Sequence, residues 1–333
     1  MKFEKKIGMS PGTAVYVGDR PALEMELSVI YYNPDSAQIE QLSGIDDVLK
    51  SENASKLSGS GVSWINITGL KDINSIKNLC ELYGIHALTI EDILDTEQQP
   101  KIEMFDFYKF LSLKAIQQDI NFLHKHEKKG KGLFNFRKIR DNEIDEFVID
   151  QICILIMKNV LITFQEVPNN AFDNVKKRIL SNIGRIRRMG VDYLGYAIID
   201  AVVDEYFIVL HHLEEDIENL ENQAIKTSDE TFLADIQDTK KYLLKIKHAI
   251  SPVKENILSI TRHDEFFETG ELKPFLQDLN ENLNLALIMV ENHREWLSNI
   301  MDVNISVLSY QMNKVMKVLA TISTIFIPLT FIA

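Results

Sequence analysis

Carboxylates are the side chains whose placement in this sequence could do chemistry, and they gather in two places. Glu91 and Asp92 are adjacent in Thr89-Ile-Glu91-Asp92-Ile-Leu94, followed by Gln99-Pro100-Lys101. Such a pair near a helix N-terminus can simply complement the helix dipole. Between Asp200 and Lys240 there are twelve acids against two lysines, a net of −10 out of the chain's formal −13. That run reads either as a solvated helix face or as a surface that accumulates divalent cations. His211-His212 beside it evokes a transition-metal site, but adjacent residues on a helix diverge by about 100°, which disfavours it. No nucleophile and base are paired and no catalytic metal motif occurs, so an enzyme is not expected. Phosphate-cradling GxGxxG or Walker loops are also missing. Cys80 and Cys153 form no zinc or disulfide framework and suit a reducing compartment. The acidic balance argues against nucleic acid as a partner.

The elements that must position these groups fall into two halves. The first alternates strands and helices: Met25 to Tyr32, Val62 to Thr68 and Phe107 to Lys114 are rich in β-branched and aromatic residues. Gln151 to Met157 and Val160 to Gln165 flank Lys158-Asn159 as a hairpin. Ser36 to Lys50, Asp72 to Tyr83, His86 to Leu94 and Asn170 to Gly184 read as helices. This order predicts an α+β fold, an α/β/α sandwich with a mixed rather than doubly wound parallel sheet. His124 to Arg140, rich in Lys and Arg, reads as an inserted solvated loop, with contact to anionic lipid as the alternative. From Val191 onward three long helices are expected, at about 191–226, 229–262 and 272 to the end. Thr227-Ser228-Asp229 supplies a turn and N-cap, Pro252 kinks or divides the second helix, and Gly270 precedes the third. The implied parts are a head domain over 1–189 with a basic insertion at about 119–145, an acidic hairpin over 190–270, a stalk helix over 271–317 and a final segment over 318–333.

The last helix would reach roughly 90 Å at 1.5 Å per residue. Leu276, Leu279, Leu283, Ala286, Val290, Leu297 and Ile300 keep heptad-like spacing on it. Beyond Ile300 the pattern inverts. Asp302, Ser306, Ser309, Asn313, Met316, Ala320, Ser323, Ile327 and Thr330 share one small, mostly polar face, and the other faces are apolar. Such a seam suits close packing of membrane helices or a ring of helices lining a water-filled path. Val318 to Ala333 is free of charge but shorter than the roughly 20 residues that span a bilayer. Lys314 and Lys317 just before it place the large N-terminal part in the cytoplasm by the positive-inside rule.

Val62-Ser-Trp-Ile-Asn-Ile-Thr-Gly69, the Glu91-Asp92 segment with Gln99-Pro-Lys101, Asp192-Tyr-Leu194 with Ile199-Asp-Ala201, and Asn313-Lys-Val-Met-Lys-Val-Leu319 running into Thr324-Ile-Phe-Ile-Pro-Leu-Thr-Phe-Ile-Ala333 together resemble the CorA family of magnesium and cobalt channels. The resemblance covers nearly the whole chain in order, the basic insertion excepted. It implies a homopentameric funnel in the plasma membrane, in contact with lipid, with a cytoplasmic head and a stalk helix continuing into the first membrane span. It implies that Asp302, Ser309, Asn313, Met316, Leu319, Ile327 and Thr330 line or adjoin the pore, with Met316 and Leu319 forming the constriction. Regulatory Mg2+ would lie between subunits on Asp92 and a neighbour's Asp278, with Glu91 and Asp200 at a second position. Mg2+ would be both regulatory and transported, with Co2+ also carried. Hard oxygen donors suit Mg2+, which keeps much of its water shell.

Facing carboxylates at about 5 Å repel by roughly 3 kcal/mol at an effective dielectric near 20, whereas moving an equilibrium from 1:99 to 99:1 takes about 5.5 kcal/mol. A ring of such sites would suffice to hold subunits closed with Mg2+ and release them without it. The family's Gly-x-Tyr-Gly-Met-Asn signature would begin just past Ala333, so the stretch corresponds to the cytoplasmic part and the start of the first span, which would not conduct by itself. A zinc transporter on the same fold and a non-conducting pentameric sensor or scaffold are the rival readings.

Overall fold

The computed structural model describes residues 8–18, 23–45, 47–48, 61–118, 147–225, 230–262, 266–267 and 270–332. The basic insertion and Thr227-Ser228-Asp229 lie outside the described residues. Two compact units are present: the described parts of 8–118, 147–209 and 247–287 form the first, and those of 210–246 and 288–332 the second.

A seven-stranded sheet organises the first unit. Its strands are β1 (Glu26–Tyr32), β2 (Ala37–Leu42), β3 (Val62–Thr68), β4 (Ile102–Met104), β5 (Lys109–Gln118), β6 (Phe147–Ile156) and β7 (Val160–Gln165). They lie in the order β2-β1-β3-β7-β6-β5-β4, and only the central β3–β7 pair is parallel. The expected mixed sheet is therefore present, as is the Lys158-Asn159 hairpin, which Met157 closes by donating its N–H to the Val160 carbonyl at 2.9 Å. Every residue of β3 is buried, as a central strand covered on both faces requires.

One face packs Leu27, Val29, Ile65, Ile67, Ile162 and Phe164 against α1 (Ile73–Leu82) and α2 (Ala87–Leu94). The opposite face carries Trp64, whose ring meets Phe172 of α3 (Asn170–Leu180) edge-on at 5.6 Å. α4 (Gly190–Ala224) also reaches the sheet. A Cβ at Gly195 would stand 2.7 Å from the Ile156 side chain, so glycine is what permits that approach. The Tyr206 hydroxyl donates to the Lys114 carbonyl of β5. α5 (Glu230–Arg262) follows, and a 3-10 turn at Gly270–Leu272 leads into α6 (Lys273–Ile332).

Three expectations are corrected. Ala37–Leu42, read as the start of a helix, is an edge strand. Its side chains are mostly exposed, so it has no alternating apolar signal, and its turn is made by Asn33 Oδ1 accepting from the N–H groups of Asp35 and Ser36. Pro252 does not divide α5, which runs unbroken through it. The helix from Asn170 stops at Leu180, with Asn182 at φ 51° and Gly184 at φ 75° turning the chain away.

Trp64 is fully buried and anchors the contact with α3. Trp64→Ala should cost about 3–5 kcal/mol of unfolding free energy by urea titration.

Candidate cation positions and the exposed end of the long helix

α2, packed on one face of the sheet, holds Glu91 and Asp92. His86 caps it, Nδ1 accepting from the Leu88 N–H at 3.2 Å. Buried Gln151 of β6 pins it from below by donating to the Asp92 carbonyl at 2.9 Å. Glu91 Oε2 accepts from the Gly12 N–H at 2.7 Å. Gly12 has φ +81°, and its Cβ position lies 3.1 Å from the Ala87 Cβ, so a side chain there would strain this contact.

Asp92 is almost fully buried and pairs with Lys101 Nζ at 2.5 Å, and the same ammonium reaches Glu103 at 2.9 Å. Burial raises the Asp92 pKa, and Lys101 opposes that rise without cancelling it. Burial also works against the Lys101 charge, but Asp92 and Glu103 more than offset it and raise its pKa. Glu91, Asp92, Lys101 and Glu103 line a cleft of about 790 Å3 together with His86 and Phe105. Chemically this is an oxygen-rich site whose resident counter-cation is a lysine, so an incoming divalent ion must displace an ammonium from Asp92.

The other two predicted residues, Asp200 and Asp278, which the sequence reading assigned to different positions, are brought together by aromatic packing. Phe275 of α6 meets Tyr193 at 5.7 Å and Tyr196 at 5.4 Å, both on α4. One turn beyond each contact stand Asp278 on α6 and Asp200 on α4, so their carboxylates feel one another. Burial raises the Asp200 pKa first, Asp204 and Asp278 raise it further, and a hydrogen bond from Tyr196 and the charge of Arg178 pull it down. Asp278 is exposed, with Asn282 donating to it at 3.5 Å.

Within one protomer, therefore, Asp278 keeps company with Asp200, while the charged neighbours of Asp92 are Lys101 and Glu103. Among the described residues no group of three or more His, Cys, Asp or Glu could hold a metal ion within the protomer. His211 Nδ1 lies 3.4 Å from Glu214 in its own helix. Asp192 serves a structural end, pairing with Lys109 at 3.3 Å.

On α6 the expected stripe from Leu276 to Ile300 is buried. Two buried polar residues on that helix escaped the sequence reading, His293 and Asn304. Asn304 Nδ2 donates to the Ala224 carbonyl at the end of α4, at 2.8 Å. The i, i+3/i+4 continuation of the stripe was the available signal. Past Asn304 nearly all of the described side chains are exposed, apolar residues such as Tyr310, Val315, Val318, Ile322 and Phe326 included. Asp302, Ser309, Asn313, Met316, Leu319, Ile327 and Thr330 are likewise exposed in the protomer. The hydroxyls of Thr321, Thr324 and Thr330 bond back to carbonyls of their own helix. Among the described residues no helix is long and apolar enough to cross a membrane.

The family model described as CorA-like Mg2+ transporter protein matches residues 124–333. The chain belongs to the CorA family. It is 32% identical over 332 residues to the cobalt/magnesium transport protein CorA of Thermotoga maritima, covering 100% of this chain and 87% of that CorA. The fold is shared with the complete CorA magnesium transporter of Methanocaldococcus jannaschii, at TM-score 0.66 and 22% identity over 90% of this chain and 83% of that one. It is also shared with the ZntB cytoplasmic domain of Vibrio parahaemolyticus, at TM-score 0.58 and 14% identity over 86% of this chain and 99% of that one.

Most acids of the CorA hairpin face solvent, but Asp216 is buried, a feature the sequence did not reveal. Burial, and then Glu215, push its pKa from 3.8 up to about 7. Between those values the folded chain keeps a proton that the unfolded chain has lost, so stability is greatest below 3.8 and falls as pH rises toward 7. At about 1.4 kcal/mol per pKa unit the loss amounts to a few kcal/mol. Asp216→Asn should flatten that slope and raise the denaturant midpoint at pH 8 while leaving it unchanged at pH 4.

Proposed function

We propose that this chain is the cation-sensing and pore-lining part of a divalent-cation channel that carries Mg2+, and also Co2+, across the cell membrane. The observation that carries this reading is the last stretch of α6. Beyond Asn304 it exposes apolar side chains around most of its circumference, with one seam that starts at Asp302 and continues through Ser309 and Asn313. Apolar surface of that extent needs lipid or sister helices, and a carboxylate and carboxamide at that depth need water or one another. A homopentameric ring satisfies both needs, turning the seam to a wet axis and the remaining faces to neighbours and lipid, with the N-terminal part in the cytoplasm.

The two carboxylate positions act as the sensor. Asp200 is raised in energy by burial and by the charges of Asp204 and Asp278, which a hydrated Mg2+ between Asp200 and Asp278 would relieve without a dedicated cage. Asp92 and Glu91 offer a second position facing a neighbouring subunit. Its ion enters by displacing Lys101, which makes it a weak site tuned to an abundant cation. Bound ions hold the ring closed, and their loss lets the carboxylates push apart and the pore open. Carboxylate donors without cysteine or paired histidine suit Mg2+ better than zinc, for which the likeness to ZntB supplies the fold alone.

In proteoliposomes holding this chain continued through the family's Gly-Met-Asn signature and second span, and loaded with a Mg2+-sensitive dye, an inward Mg2+ gradient should produce uptake, and Asn313→Leu should cut it at least tenfold. Asp200→Asn with Asp278→Asn should shift Mg2+-dependent protection from protease to several-fold higher Mg2+. Zn2+ uptake without Mg2+ uptake would favour the zinc reading, and protection that ignores the carboxylates would remove them from the sensor.

A further inference from the structure

One face of the sheet carries a ladder of polar side chains, uncharged apart from Glu26 at its edge, that neither the cation positions nor α6 uses. Glu26, Thr68 and Gln165 are cross-strand neighbours on β1, β3 and β7, and Ser28, Asn66 and Thr163 form the next such row. Trp64 Nε1 donates to Thr163 Oγ1 at 2.9 Å, and Thr163 donates to Asn66 Oδ1 at 2.9 Å. Gln165 Nε2 donates to Asn66 Oδ1 at 3.3 Å and to Thr68 Oγ1 at 2.6 Å. Burying these groups costs desolvation that Val or Ile would not incur, and a ladder of this kind is worth keeping only if its ends are satisfied.

Its end is not satisfied among the described residues: there Gln165 Oε1 and Asn169 Nδ2 have no hydrogen-bond partner, although the two residues are only 2% and 4% exposed. Their other bonds fix which atoms remain. The Gln165 amide nitrogen is spent on Asn66 and Thr68, and Asn169 Oδ1 accepts from the Ala171 N–H at 2.9 Å as the N-cap of α3. Both residues line one pocket of about 240 Å3 with Ser28, Thr68 and Glu26. Asp173, also at the pocket, is paired with Lys176 at 3.0 Å.

We propose that this pocket binds a small uncharged molecule with adjacent hydroxyl groups, a polyol or a single sugar ring. A hydroxyl can donate to Gln165 Oε1 and accept from Asn169 Nδ2, so one functional group satisfies both atoms. A hydrated cation offers donors only and leaves Asn169 unsatisfied, and an anion meets Gln165 Oε1 and Glu26. The volume lies below the roughly 300–1,000 Å3 of drug-sized pockets, which limits the ligand to a fragment.

Saturation-transfer-difference NMR on the intact protein, with myo-inositol and D-glucose as probes, tests this. Saturable transfer from at least one probe is expected. Asn169→Asp keeps the helix cap but replaces the donor with a carboxylate oxygen, and should weaken binding at least tenfold with an unchanged melting temperature. Ser28→Leu, which fills the pocket, serves as the second variant and should abolish transfer. Absence of saturable transfer from both probes, equal binding by a folded Asn169→Asp protein, or displacement of the probe by Mg2+ alone would overturn the proposal.

Discussion

The loss of partners along α6 at Asn304 is the constraint on which the functional account depends. Up to that residue each turn of the helix buries a Leu, Val, Ala or Ile, or in one turn His293, and Asn304 itself, 1% exposed, ties α6 to the Ala224 carbonyl at the end of α4. Beyond it the same helix continues to Ile332 with apolar side chains in the open. A helix satisfies its own backbone hydrogen bonds, so it can leave a protein core for lipid where a strand cannot. In the proposed ring, keeping Asp302 and Asn313 in lipid would be costly, which favours arrangements of sister helices that turn that seam inward.

Electrostatics supplies the complementary half. The head and hairpin keep several carboxylates under strain, each by a different means: Asp92 by burial beside a lysine, Asp200 by burial beside two other acids, Asp216 by burial with Glu215 nearby. In the proposed sensor a cation would relieve the first two, whereas a proton relieves Asp216. There Lys101 would make the Asp92 position a competition between a tethered monovalent and a mobile divalent charge, in which the tether favours the lysine and the higher charge favours the ion.

The elements that read well from the sequence were those whose period matched their burial. β3 and β7 have their expected bounds, and the heptad-like stripe of α6 is the buried one. Ala37–Leu42 did not read as a strand because an exposed edge has no burial to write into its pattern. Pro252 was expected to interrupt α5 because local rules price a missing N–H, whereas packing on both sides of it, at Ile250 and Val253, holds the helix. The acids of the candidate site were visible by type and position. Their company was not: Lys101 beside Asp92 and Asp200 beside Asp278 depend on a turn after α2 and on aromatic contacts between helices far apart in sequence. Charge counting likewise could not single out Asp216 from its exposed neighbours.

The central claim is that the seam of α6 faces water while its other faces do not. Cys80 and Cys153 are both buried, which leaves a quiet background for introduced thiols. Single cysteines at positions 309, 313, 316 and 320, and at 315, 318, 322 and 326, should be compared in native membranes with a charged, membrane-impermeant thiol reagent. The account predicts fast labelling of the first set and at least tenfold slower labelling of the second. Equal rates in the two sets, or faster labelling of the second, would contradict it.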